Sequence, residues 1–250
     1  MVEPQNTPGS TGQAPSVPLR SGGEGMAFFD MLAMLSHELR QPLAAAVSAL
    51  EVQKRSISPE RRERAGRVIA QQLQQMMRLV DDLRDATLLA RGTFPLRRER
   101  VDLRVIVREA LEMTRARFEQ KRQRTALTDG PAPVWVMADP VRMRQVFSNL
   151  LQNASAYTPD QGHIDLELEM DDTQVALHLR DTGAGIAGNA LERIFDVFER
   201  GPQPGDGASL GIGLAVVRQV VEQHGGAVTV HSEGPGRGSE FVVTLSRCLG

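Results

Sequence analysis

The sequence predicts an α + α/β protein, a dimeric helical-hairpin bundle followed by an α/β sandwich. Three observations carry that expectation. Residues 26–91 hold two apolar stripes recurring at three- and four-residue steps. Residues 101–247 alternate helical and strand patterns around glycine-rich loops. The length of 250 residues, with 41% hydrophobic and 24% charged, suits one large globular domain or two modest ones.

Residues 1–25 contain prolines and glycines, no aromatics and few large aliphatics, so they are expected to form a disordered tail. In the first predicted helix Phe28, Leu32, Leu35, Leu39, Leu43, Ala46 and Leu50 form a stripe with coiled-coil spacing. Ala65, Ile69, Leu73, Met76, Val80, Leu83 and Thr87 repeat the rhythm in the second. Between them Ser58 is placed to cap a helix whose first residue is Pro59. A lone hairpin would leave half of each stripe wet, whereas two hairpins from two chains make a four-helix bundle; a homodimer follows. Residues 92–100 read as a linker.

The remainder, 101–247, predicts helices near 103–121, 140–156 and 211–224, the second capped by Asp139 and the third stopped at Gly225-Gly226. Strands are expected near 124–128, 134–136, 164–170, 174–180, 227–232 and 239–245, with a short helix from Ala190 to Phe195. A mixed sheet covered by helices on one face accommodates them.

Composition excludes several function classes. A formal net charge of −2 argues against a general nucleic-acid binder. Lys54 and Lys121 are the only lysines among 29 basic residues, so phosphate contacts must come mostly from arginine or backbone. The clusters Arg61, Arg62, Arg64, Arg67 and Arg97, Arg98, Arg100 read as solvated faces. The single Cys248 forbids an internal disulfide and any cysteine-rich metal site, and a reducing cytoplasm is expected. No run of ~18 apolar residues occurs, so no membrane span is expected. The N-terminus lacks a signal-peptide pattern.

His37 lies two residues from both Leu35 and Leu39, about 200° of helix rotation from the stripe, so it faces solvent. Glu38 follows it, and Gln41 sits one turn on. Pro42, mid-helix, costs about 3 kcal/mol and disturbs the hydrogen bond to the Glu38 carbonyl. An exposed imidazole beside a carboxylate suits nucleophilic attack on phosphorus, the base holding one ring proton while the other nitrogen attacks.

Gly183-Ala184-Gly185-Ile186-Ala187-Gly188 matches G-x-G-x-x-G. Asp181 in front of it would repel a pyrophosphate, the following helix is short, and no acidic residue ends a strand ~20 residues later, so a dinucleotide fold is disfavoured. No P-loop pattern occurs. A strand-end carboxylate at Asp181 can instead accept from an adenine amino group, with glycines admitting the base. Asn149 and Asn153 share one face of a helix, and their amide oxygens are hard ligands suited to Mg²⁺. Gly211 and Gly213 open a helix whose N–H groups can receive phosphates, and the Pro/Gly-rich 201–209 stretch before it suits a lid.

Together these segments resemble the catalytic core of bacterial sensor histidine kinases, nearest the hybrid-kinase group. Ser36-His37-Glu38-Leu39-Arg40-Gln41-Pro42-Leu43 is similar to the phosphoacceptor box, Asn149-Leu150-Leu151-Gln152-Asn153-Ala154 to the N box, and Asp181-Thr182-Gly183-Ala184-Gly185-Ile186 to the first glycine box. Ile194-Phe195-Asp196-Val197-Phe198 matches the F box, Leu210-Gly211-Ile212-Gly213-Leu214-Ala215 the second glycine box, and Gly238-Ser239-Glu240-Phe241 the last strand's motif.

The resemblance implies a dimerisation and phosphotransfer hairpin (26–91) and a Bergerat-type ATP-binding domain (101–247). His37 would be phosphorylated by ATP and Glu38 would be the base, with Gln41 beside them. Asn153 would ligate Mg²⁺, Tyr157 would pack near adenine, and Asp181 would bind its amino group. Asn149, Gly183, Gly185, Ile186, Ser209, Leu210, Gly211, Ile212, Gly213, Leu214 and Ser239 would complete the nucleotide site. The partner would be a receiver domain of a separate response regulator, since no receiver, membrane sensor or input domain is recognisable in the 250 residues.

Three positions depart from the family pattern. Ala156 stands where a Lys or Arg is usual, Ser209 replaces the first glycine of the second glycine box, and Gln41 replaces Thr or Asn. The first two bear on phosphate binding and the third on dephosphorylation. The alternative they motivate is an ATP-binding dimeric scaffold or phosphatase-biased homologue. A chaperone- or topoisomerase-type ATPase is disfavoured, because those lack the His37 helix.

Overall fold

The computed structural model describes residues 22–92, 94–199, 201 and 210–248, with side chains from Ala33 onward. Residues 1–21 of the expected tail, Ser209 and the rest of 202–209, and the side chains of Phe28 and Leu32 lie outside the described residues.

Two long helices, α1 (Gly22–Arg55) and α2 (Pro59–Ala90), form the hairpin. Ser58 caps α2, its hydroxyl accepting from the Arg61 amide, with Pro59 at the first turn. Helix α1 runs unbroken through Pro42, which is buried, and begins at Gly22, inside the expected tail. Once a helix has nucleated, each further residue costs little.

The stripes are only partly buried within one chain. Leu35, Ala46, Ala49, Ala65, Leu79 and Ala86 are buried, while Leu43, Val47, Leu50, Leu73, Met77 and Val80 are exposed. Leu79, outside the predicted stripe, is fully buried, and its predicted neighbour Val80 is 58% exposed. The 3.5-residue rhythm does not tell which side of a stripe meets its own hairpin and which is left outside.

The rest comprises β1 (Glu99–Asp102), α3 (Leu103–Gln120), β2 (Arg124–Thr128), β3 (Trp135–Ala138), α4 (Pro140–Tyr157), β4 (His163–Met170), β5 (Gln174–Asp181), α5 (Gly188–Leu191), α6 (Gly213–Gln223), β6 (Ala227–His231) and β7 (Ser239–Ser246). Five strands make a mixed sheet in the order β2-β4-β5-β7-β6, in which only β2 and β4 are parallel. Alternation along β4, β5 and β7 turns Ile164, Leu166, Val175, Leu177, Leu179, Phe241, Val243 and Leu245 inward. They pack in one core with Val146, Phe147, Leu150 and Leu151 of α4 and Val216, Val217, Val220 and Val221 of α6.

The expected 92–100 linker is structured over much of its length. Glu99–Asp102 is a strand paired antiparallel with β3, where Arg100 lies 4.6 Å over the Trp135 ring. Its charged sequence shows no alternation; the partner strand makes it β. Phe94 is buried, and its amide donates to Gln223 Oε1 at 3.0 Å. Asp139 accepts from Val141 and Arg142 amides as the α4 cap and from the Arg97 amide with its second oxygen. The helix expected from Ala190 to Phe195 is also corrected: only Gly188–Leu191 is helical, and turns follow. A helix this short gains few hydrogen bonds against the cost of its nucleus, so it does not extend.

Candidate active site

Asp181 is buried for a reason legible in its strand. It continues the inward phase of Val175, Leu177 and Leu179, so a carboxylate ends an apolar row. The β5–β7 register sets Ser239 directly opposite, and the Ser239 hydroxyl donates to Asp181 Oδ2 at 2.5 Å. The Gly183 amide donates to Oδ1 at 2.7 Å. Burial pushes the Asp181 carboxyl above the ordinary aspartate value, against those two hydrogen bonds, which favour its charged form.

The loop after Asp181 requires glycine at two positions. A Cβ on Gly183 would stand 2.6 Å from Asp181 Oδ1 and 2.7 Å from the Tyr157 carbonyl. Gly185 has φ +67°, and a Cβ there would meet the Gly234 carbonyl at 2.1 Å. The Ile186 amide donates to the Ser232 hydroxyl at 3.0 Å, tying the loop to the β6–β7 turn.

A cavity of about 940 Å³ opens beside this loop and runs along α4 to the hairpin helix α2. Of the expected residues, Asn149, Asn153, Tyr157, Asp181, Gly185, Ile186, Gly211, Gly213, Leu214 and Ser239 line it. Tyr157 packs under Gly201, where a Cβ would lie 2.8 Å from the phenolic oxygen. Asn149 Nδ2 donates to the Gly213 carbonyl at 3.1 Å, fixing the first turn of α6 against α4. That helix starts at Gly213, two residues later than expected, and Gly211 (φ +71°) turns the chain into it.

Leu210 and Ile212 are not brought to the cavity. Both side chains are fully buried in the core, so apolar residues flanking the glycines anchor the loop. Ala156, one of the departures, does line the cavity. His37 and Gln41 are exposed on α1 and Glu38 is half-buried, all outside the cavity wall.

The structure adds residues that motif reading missed. Asp82 and Asp85 of α2 border the cavity from the hairpin. Gln145 Nε2 donates to Asp85 at 2.5 Å, and Arg142 stands 3.9 Å away. Burial pushes the Asp85 carboxyl up, opposed mainly by Arg142. From α3, Met113 and Arg117 reach the same wall. The cue for all of these is tertiary, since nothing in their spacing distinguishes them from other helix-surface residues.

Residues 29–92 match the family described as the His Kinase A (phospho-acceptor) domain. Residues 138–248 match that of the histidine kinase-, DNA gyrase B-, and HSP90-like ATPases. The chain is 36% identical over 233 residues to the adaptive-response sensory kinase SasA of Thermosynechococcus vestitus, covering 89% of this chain and 61% of that protein. Among solved structures, the Acinetobacter baumannii histidine kinase AdeS is similar with a TM-score of 0.63 at 26% identity, over 84% of this chain and 97% of that one. Full-length ShkA in complex with AMPPNP gives 0.62 at 29% identity, over 88% of this chain and 46% of that one. The chain spans about half the length of the curated relatives it matches. Among the described residues no helix is long and apolar enough to cross a membrane.

Proposed function

The chain belongs to the bacterial sensor histidine kinases, and from that premise we propose that it is an ATP-dependent protein-histidine kinase that phosphorylates His37 and passes the phosphoryl group to an aspartate of a separate response regulator. In this reading residues 26–91 dimerise and carry the phosphoacceptor, residues 101–247 bind ATP, and the reaction is cytoplasmic, in keeping with a single cysteine. One observation carries the reading: a single cavity joins the buried Asp181 to the hairpin.

At the inner end, the Asp181 carboxylate accepts from the adenine amino group while Tyr157 and Ile186 flank the base. The amide oxygen of Asn153 is a hard donor suited to Mg²⁺, which when bound supplies charge neutralisation at the phosphates. Gly211 and Gly213 let backbone approach the phosphate chain. One ring nitrogen of His37 attacks the γ-phosphorus, the bond to the β-bridging oxygen breaks, ADP leaves, and the proton on the other nitrogen passes to Glu38. Because His37 lies outside the cavity wall, the step requires the hairpin and the ATP-binding domain to change their relative positions, or a second copy to present its His37. The AMPPNP bound by the related ShkA supports the nucleotide assignment.

Incubation with γ-labelled ATP tests the reading. Acid-labile label on the protein, abolished in His37→Gln with ATP binding retained, is expected. Acid-stable label, or undiminished label in the variant, overturns it.

A further inference from the structure

The hairpin meets the ATP-binding domain at a joint. Helix α2 ends at Gly92, whose amide donates to the Leu89 carbonyl and whose backbone turns at φ +70°, a conformation that favours glycine. Beyond the joint the chain is already tied to the ATP-binding domain. Phe94 is buried, with the Arg142 guanidinium 5.0 Å from its ring centre. The Arg97 amide donates to Asp139, and Arg98 donates to the Gln223 carbonyl at the end of α6.

Two glutamines one turn apart on α6 hold the joint itself. Gln219 Nε2 and Gln223 Nε2 each donate to the Gly92 carbonyl at 3.1 Å. A carbonyl oxygen has two lone pairs, and these bonds engage both. Gln223 Oε1 accepts from the Phe94 amide at 3.0 Å, so one side chain grips the chain on either side of the turn. We infer, building on the phosphotransfer reading above, that Gln223 and Gln219 are positioning residues for that reaction: they clasp the joint at Gly92 and hold the pose that keeps His37 outside the cavity.

The pose and the reaction are at odds. His37 must meet the γ-phosphorus, yet it is exposed on α1 and absent from the cavity wall. For α2 to swing about Gly92 the Gly92 carbonyl has to leave α6, while Phe94, Arg97 and Arg98 can stay where they are. Glycine permits the change in φ and ψ that the swing requires. Away from the joint the same pose is held by Asp82 on Leu210 and Asp85 on Gln145, both carboxylate contacts. The clasp is uncharged, so it persists when those contacts are screened or titrated. Helix α6 also carries the cavity at its other end, where Gly213 lines the wall and accepts from Asn149 Nδ2. The joint therefore answers to the same helix that shapes the nucleotide site.

The test compares the full chain with two variants. Gln219→Met with Gln223→Met keeps side-chain length and removes all three bonds. Gln223→Glu keeps an acceptor for the Phe94 amide but cannot donate to Gly92. The double variant is expected to label from γ-labelled ATP about fivefold faster or more in a single turnover, because the released pose is more populated. Gln223→Glu should gain less, since Gln219 keeps its bond. In both variants the dissociation constant for ATP should stay at the wild-type value, and small-angle scattering should show a larger radius of gyration. A measurable labelling rate that is unchanged or lowered while ATP still binds overturns the clasp. Parallel loss of ATP binding and labelling also overturns it, being the mark of a merely structural role. Wild type and variants that bind ATP yet take no label overturn the phosphotransfer reading and the clasp with it.

Discussion

The carboxylate of Asp82, on the hairpin, accepts a hydrogen bond at 3.3 Å from the backbone amide of Leu210, where the chain enters the second glycine segment of the ATP-binding domain. One turn on, Asp85 holds Gln145 of α4. The hairpin is thus fastened to both walls of the cavity by two carboxylates whose burial disfavours their charge. Such a contact fixes a pose and can be released.

Docking through Asp82 should weaken as pH rises from about 4 to about 6. Burial raises its carboxyl to about 6, reinforced by Asp85 and Asp81 and opposed by the Leu210 amide and Arg78. The docked form therefore holds its proton where the released form has lost it, and docking is favoured fully only below the ordinary aspartate range. Asp82→Asn keeps an acceptor for Leu210 without the charge and should remove this pH dependence. Small-angle scattering across pH 4–7 reads the compaction; an unchanged profile in the variant contradicts the assignment.

Asp181→Asn should lower ATP affinity by tenfold or more. The carboxylate already serves Gly183 and Ser239, and an amide has one acceptor oxygen where the carboxylate has two. A mismatched buried polar contact costs about 1–3 kcal/mol. Calorimetric titration of the variant decides it, and wild-type affinity would remove Asp181 from the adenine site.

The full chain should sediment as a dimer. Leu43, Val47, Leu50, Leu73, Met77 and Val80 lie exposed along the hairpin, and burying such a side chain is worth about 1.5–3 kcal/mol. Val47→Glu with Val80→Glu should give a monomer that retains ATP binding. A wild-type monomer at tens of micromolar refutes the bundle.

Gln41 should bias the protein toward kinase activity. It is exposed one turn from His37, and its amide sits one C–C bond, about 1.5 Å, farther out than that of asparagine. Positioning an in-line water tolerates little displacement on that scale. Gln41→Asn should raise dephosphorylation of a phosphorylated regulator above wild type, and equal rates would show that the longer amide suffices.

Legibility followed the range of the interaction. The burial of Asp181 could be read from alternation along its own strand, and the cap of Asp139 from the proline that follows it. The core positions of Leu210 and Ile212 could not, because apolar residues between glycines look alike whether they face ligand or core. Glu99–Asp102 carried no strand pattern, since pairing with β3 alone makes it one. Arg117, Asp82 and Asp85 are polar residues on long helices, and only packing distinguishes them from solvated neighbours.

By itself the sequence determined the helical hairpin, the caps at Ser58 and Asp139, most strand positions and the order of the boxes, because each depends on torsional preferences and side-chain periodicity within a few residues. Tertiary structure decided which half of each hairpin stripe is covered, which strands pair, and which charged side chains border the cavity. Those outcomes turn on contacts between segments far apart in the chain. The Arg144–Glu109 contact between α4 and α3 spans 35 residues and the Asp82–Leu210 bond spans 128. At such separations the favourable partner is chosen by how whole elements pack, which no local pattern records.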